Sequence, residues 1–140
     1  MNGDASRGGV VVDTGCSWML VTADVALRIV PETSVAHVPG GPRELLGVTL
    51  HEGALVPVLA IGASQGSMIV CEVVGELVVL SGAKVVRTGS FPPDPSAPGR
   101  VLVDGRSTEI LDLRGLYDRV ATHRADRRKG PPPSSKERVS

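Results

Sequence analysis

Gly47–Ile61, GVTLHEGALVPVLAI, decides the fold of this 140-residue chain. Its charged tip, His51-Glu52-Gly53, separates two aliphatic runs, Leu46–Leu50 and Ala54–Leu59. Two such runs joined through a turn that ends in glycine read as a β-hairpin, the glycine supplying a backbone dihedral other residues adopt at a cost. Val48, Leu50, Ala54, Val56 and Val58 nearly hold one apolar register, while Thr49, Leu55 and Leu59 give the opposite face apolar character too. A strand apolar on both faces is either enclosed between two layers or offers one face to a partner. Composition by itself favours the enclosed reading.

Outward from this hairpin the chain continues as short strands and turns. Towards the N-terminus, Val10–Val12, Trp18–Thr22 and Leu27–Val30 are strand-like, with Pro31 stopping the last and a turn at Asp13–Gly15. Val38-Pro39-Gly40-Gly41-Pro42 is too rich in Pro and Gly for a regular element. Towards the C-terminus, the sequence predicts strands at Met68–Val74, Leu77–Leu80 and Lys84–Arg87, the last two separated by Ser81-Gly82. Phe91–Gly99, with four prolines, is predicted to stand out from the body. A final hairpin, Val101–Val103 and Ser107–Leu111, turns at Asp104-Gly105. Asp112 then caps a helix over Leu113–Thr122, in which Leu113, Leu116, Tyr117 and Val120 share one face. About ten short strands and one terminal helix imply compact β-barrels, and nine or ten strands can be split into two of them. The expected organisation is a flexible leader at 1–9, the folded domain at 10–123 and a disordered, basic, Pro-containing tail at 124–140.

Hydrophobic residues make up 41% of the chain, and Trp18, Phe91 and Tyr117 are its only aromatics, so the core must be aliphatic. Fifteen basic residues balance fifteen acidic ones. From Arg124 onward six are basic and two acidic, which leaves the preceding body with nine basic against thirteen acidic. An acidic body argues against nucleic acid, which needs a basic face to displace counterions from phosphates. No apolar run approaches the length of a membrane-spanning helix, and the N-terminus lacks the pattern of a signal peptide. A cytoplasmic location without direct membrane insertion is expected, with Cys16 and Cys71 as reduced small hydrophobes.

Catalytic chemistry finds little support. His37, His51 and His123 are scattered and have no metal-ligand spacing, so no metal is expected. Ser67 and Ser81 lack the Gly-x-Ser-x-Gly elbow of a nucleophile, and Gly40-Gly41-Pro42 lacks the Lys-Ser/Thr of a phosphate loop. Asp104, Glu109 and Asp112 are close in sequence, but hairpin solvation and helix capping account for them. The chain reads as a non-enzyme without a cofactor.

Several segments together carry a resemblance. They are Ala26-Leu27-Arg28-Ile29-Val30, His37–Pro42, Leu45-Leu46-Gly47-Val48-Thr49 and Gly53-Ala54-Leu55-Val56-Pro57-Val58, followed by Met68–Val86 around Gly75 and by Ile110-Leu111-Asp112-Leu113 with Leu116. In order and spacing this resembles a CheW-like domain over about Val10 to Val120, with Gly47, Pro57 and Gly75 as framework. The resemblance implies an all-β domain of two small SH3-like five-stranded β-barrels packed on a shared apolar seam, with a short C-terminal helix, and a non-catalytic adaptor in a chemosensory array. Its partners would be the regulatory domain of a CheA-type histidine kinase, facing Leu27, Arg28, Ile29 and Val30, and a methyl-accepting chemoreceptor tip, facing Leu50, His51, Glu52 and Gly53. The chain also departs from the family's pattern. Arg28 stands where the family usually has an acid, and Leu50-His51-Glu52-Gly53 stands for the usual Asn-Leu-Arg-Gly. Ala60 and Leu80 likewise replace usual acids. The alternative the departures suggest is a regulator that binds one array component, or another partner, without ordinary coupling.

Overall fold

The computed structural model describes residues 6–129, with side chains to residue 122. Nine strands and one helix follow in order: β1 (Arg7–Asp13), β2 (Trp18–Thr22), β3 (Ala26–Pro31), β4 (Leu45–His51), β5 (Ala54–Ala60), β6 (Ser67–Val73), β7 (Glu76–Phe91), β8 (Arg100–Val103), β9 (Arg106–Ile110) and α1 (Leu113–Lys129). The long β7 organises the rest. Its first half pairs with β6 and, in parallel, with β5, whose other edge pairs with β4, while β3 pairs with the far edge of β6. Its second half pairs with β1, which continues through β2 and β9 to β8. Counting each half of β7 once, these are the two five-stranded barrels expected from the sequence: a middle barrel (β3, β4, β5, β6, β7) and a terminal barrel (β1, β2, β7, β8, β9).

The barrels are not successive halves of the chain, because both chain ends contribute to the terminal barrel. Nor does Ser81-Gly82 separate two strands. Gly82 takes φ +93, and the strand runs through it from one barrel to the other. Just beyond β5, Gly62 passes so close that a Cβ on Gly82 would collide with its carbonyl oxygen.

Apolar residues alternate between two destinations. Val11, Leu20, Phe91, Val101 and Val103 fill the terminal barrel, and Val56, Val58, Met68, Val70 and Val79 fill the middle one. Their strand neighbours, among them Val10, Val12, Leu59, Ile69, Cys71, Val78 and Leu80, form a third cluster between the barrels, sealed by Leu113, Leu116 and Val120 of α1. Strands apolar on both faces thus serve an interior on one side and the seam on the other. For Gly47–Ile61 the enclosed reading holds from Val56 to Leu59, which are buried except for half-buried Pro57. At the hairpin tip it fails: Leu50 and Leu55, a facing pair, are 67% and 72% exposed.

Three hairpin turns, Glu52-Gly53, Val74-Gly75 and Asp104-Gly105, have positive φ at both residues, the type I′ geometry that matches strand twist. Asp112 accepts a bond from the Gly115 amide at 3.0 Å, the N-cap expected. The helix runs to Lys129, past the expected end at Thr122, so 124–129 extends it rather than beginning a disordered tail. At the other end, β1 opens at Arg7, inside the expected leader. Residues 1–5 and 130–140 lie outside the described residues.

Phe91–Gly99 does not stand out from the body. Phe91 is buried, Pro93 bridges to Val101, and the buried Asp94 accepts bonds from the Ser107 hydroxyl and from the amide and hydroxyl of Ser96. The Ser107 bond, then the two from Ser96, and lastly the Arg100 charge hold the Asp94 carboxyl below its ordinary range, against a smaller upward push from burial. A carboxyl depressed by folding contributes stability that is complete above its unfolded value and fades as pH falls through its folded one. Asp94→Asn is therefore expected to lower the urea midpoint at neutral pH, with the gap to the parent closing in acid. A gap that stays constant down the pH series would contradict the assignment.

Candidate interaction surface

β3 is antiparallel to β6, and β6 to β7, while β5 runs parallel to β7. The starts of β3, β5 and β7 therefore lie at one end of the middle barrel, together with the β4–β5 and β6–β7 turns. That end is unusually apolar for a surface. Leu27, Leu50, Leu55 and Val74 are four of the seven large hydrophobic side chains exposed among the described residues; Ile29, opposite Ile69, lies further along the barrel, and Glu76 is exposed beside Val74.

Among them sits one ion pair. The Arg28 guanidinium donates to a Glu52 carboxylate oxygen at 3.1 Å, bridging 24 residues of sequence. Among the described residues β3 has its second edge unpaired, and the ladder between β4 and the connecting segment is a single bridge, Val48 with Ala36, supplemented by the Thr49 hydroxyl donating to the Ser34 carbonyl, so the Arg28–Glu52 pair links the open sides of the barrel wall. Both side chains are more than half exposed, which limits its worth to roughly 0–1 kcal/mol. The pair stabilises the fold little; it sets the charge pattern of this surface. His51 is largely buried beside it, its Nε2 3.9 Å from the same carboxylate.

The structure thus brings together the two segments that the sequence reading kept apart. Leu27, Arg28 and Ile29 lie exposed on β3, with Val30 half-buried against the middle-barrel core. Leu50, Glu52 and Gly53 are exposed at the facing tip. Of the framework residues, Gly47 passes so close to Ala36 that a Cβ would strike its carbonyl oxygen, Pro57 faces Val48 across the hairpin, and Gly75 completes a turn. Sequence reasoning missed Leu55 and Val74 as surface residues. Val74 carried a signal: a β-branched residue stands in a turn position that elsewhere in this chain is Glu52 or Asp104.

A cleft of about 370 Å³ lies where the seam meets α1, floored by Met19, Ala60, Ile61, Leu111 and Leu116. Its charged groups are already engaged in part: Glu44 pairs with Arg119 at 3.7 Å, and Asp112 caps the helix. Burial pushes the Cys71 thiol up to about 12, which leaves it protonated and a poor nucleophile. Among the described residues no three His, Cys, Asp or Glu side chains are grouped to hold a metal.

Two five-stranded barrels sharing a strand and an apolar seam, with a helix closing that seam, make the fold CheW-like. The solved structure of the scaffolding protein TtCheW from Thermoanaerobacter tengcongensis matches it with a TM-score of 0.67 at 17% sequence identity, over 80% of this chain and 88% of that one. No family model matches the chain, and no curated protein matches it.

Proposed function

We propose that the chain is a non-catalytic adaptor of chemosensory signalling, joining a chemoreceptor tip to a CheA-type histidine kinase. The observation that carries this reading is the fold shared with a scaffolding protein across both barrels. In the proposal Leu27–Val30 faces the regulatory domain of the kinase and Leu50–Gly53 faces the receptor. The adaptor works in the cytoplasm, at receptor arrays; no helix among the described residues is long and apolar enough to cross a membrane.

The Arg28–Glu52 contact refines what the departures from the family's pattern mean. An acid on β3 and an arginine in the turn are usual; this chain has the reverse, and the two groups touch. The charges have been exchanged, so the surface keeps its net charge and mirrors its pattern. Like charges set opposite each other across an interface cost several kcal/mol, so such an exchange changes partner choice more than fold. A second reading, a regulator that binds one component without coupling it onward, rests on the same exchange.

Calorimetric titration against the kinase regulatory domain and receptor tip encoded nearest to this chain tests both. Arg28→Glu or Glu52→Arg is expected to weaken binding to these cognate fragments by roughly tenfold or more. The double exchange is expected to shift preference towards fragments of ordinary charge pattern. Binding to both fragments that is tight and indifferent to all three variants would sink the re-specified surface, and binding to one alone would select the second reading.

A further inference from the structure

We propose that the cleft where the seam meets α1 is a docking site for a partner segment that inserts a lysine or arginine side chain. The aliphatic stem lies on the cleft floor and the cationic head among the carboxylates of the rim. This does not rest on the adaptor reading, and the place is a different one. Glu44 precedes β4 and Ala60 ends β5, so the cleft sits at the far end of the β4–β5 hairpin from Leu50–Gly53, about 20 Å along the strands. A segment bound in the cleft leaves the hairpin tip free.

The shape selects a side chain. Met19, Ala60, Ile61 and Leu111 are half-buried and Leu116 is buried, an aliphatic floor assembled from both barrels and the helix. The charged groups lie further out: Glu109, Asp112 and Arg119 are exposed, and Glu44 is half-buried. At about 370 Å³ the cleft is near the small end of ligand sites. Sites for free small molecules bury most of the ligand's surface, and a depression with charges at its mouth does not enclose one. It suits a side chain that enters while its backbone stays outside.

Charge selects which side chain. Three acids and one base line the cleft. Arg119 pairs with Glu44 at 3.7 Å, Asp112 gives one oxygen to the Gly115 amide at 3.0 Å, and Glu109 has no ion pair among the described residues. Neighbouring bases do not make up the deficit. Arg43, next to Glu44, does not line the cleft. Arg100, across the ladder from Glu109, donates to the Ser107 hydroxyl and carbonyl at 2.9 and 3.1 Å, and Arg114 pairs with Asp118 at 3.3 Å. An acidic partner would therefore meet like charge, as would a nucleic-acid backbone. An apolar partner would strip water from Glu109 and return nothing. Lysine and arginine join an aliphatic stem to a cationic head, which meets floor and rim together.

NMR titration of the full chain with the peptide acetyl-Leu-Arg-Leu-amide tests the proposal, with acetyl-Leu-Gln-Leu-amide and n-butylguanidinium as comparisons. The arginine peptide is expected to shift the amides of Met19, Ile61, Glu109, Leu111 and Leu116 with a Kd of roughly 1 mM, weakening as salt is added. Glu109→Gln is expected to weaken it about fivefold. Arg119→Gln removes the competing base, releases Glu44 and is expected to tighten binding about threefold; a residue that only supported the fold would not improve binding when replaced. No shift at the cleft by about 10 mM peptide overturns the proposal. So does equal affinity for the glutamine peptide, or a folded Glu109→Gln variant that binds as the parent does. Butylguanidinium binding as tightly as the arginine peptide would also overturn it, by assigning the cleft to a free cation.

Discussion

Gly82→Ala is expected to cost more than about 3 kcal/mol of unfolding free energy, enough to remove much of the stability of a domain this size. The new methyl would meet two separate penalties. At φ +93 an L residue is strained, at about 1–2 kcal/mol. The methyl would also drive into the Gly62 carbonyl oxygen, where the obstacle is backbone rather than a side chain that could swing away. Gly62 cannot retreat easily, since its own position is squeezed between the Thr14 and Gly82 carbonyls. The amides on either side of it, Ile61 and Ala63, bond to Ser81 at 2.9 Å and to Thr14 at 3.0 Å. Gly53→Ala is the matched control, because Gly53 has φ +84 with nothing within 4 Å of the new methyl. It is expected to cost only the dihedral penalty, about 1 kcal/mol. Urea unfolding of the three proteins measures the difference. Equal midpoints for the two variants would show that the close pass between Gly62 and Gly82 is unimportant.

That contrast also marks what the sequence could and could not say. Each of the three I′ turns is spelled by two adjacent residues ending in glycine, and Asp112 with its 3.6-residue apolar repeat spells a helix start, so all were legible. Gly82 carries the same local signal as those turns but does a different job. Whether a glycine ends a strand or lets it bend into a second barrel depends on Gly62, twenty residues away in the chain. Pairing of β2 with β9, and hence the interleaving of the barrels, is equally invisible to any local pattern. The Phe91–Gly99 segment misled because its prolines announce irregular backbone but not that Asp94 will find two serine hydroxyls. At the candidate surface the residue types were readable and their contact was not. Arg28 and Glu52 looked like two separate reversals until the fold set them side by side.

The two-faced apolar pattern of β5 gives the remaining large prediction. Leu80 and Leu59 are paired across β7 and β5 in the seam, each 1% exposed, with Ile69 on the other side of Leu80. Leu80→Ala removes three carbons from a site walled by strands of the middle barrel and by the cluster that joins it to the terminal one. The expected loss is about 2–5 kcal/mol, transfer and residual cavity combined, towards the upper part of that range because strand backbones on both sides resist collapse. Leu55→Ala makes the identical chemical change in the strand next to Leu80's own. With Leu55 72% exposed, it is expected to shift stability by no more than about 0.5 kcal/mol. The two leucines respond to the same hydrophobic drive, yet one is held by the seam and the other is available to a second molecule. Chemical denaturation at low protein concentration separates the two cases, since only the single chain's own packing is then read. If Leu55→Ala proved as costly as Leu80→Ala under those conditions, the hairpin tip would be core, and its role as a recognition surface would fall with it.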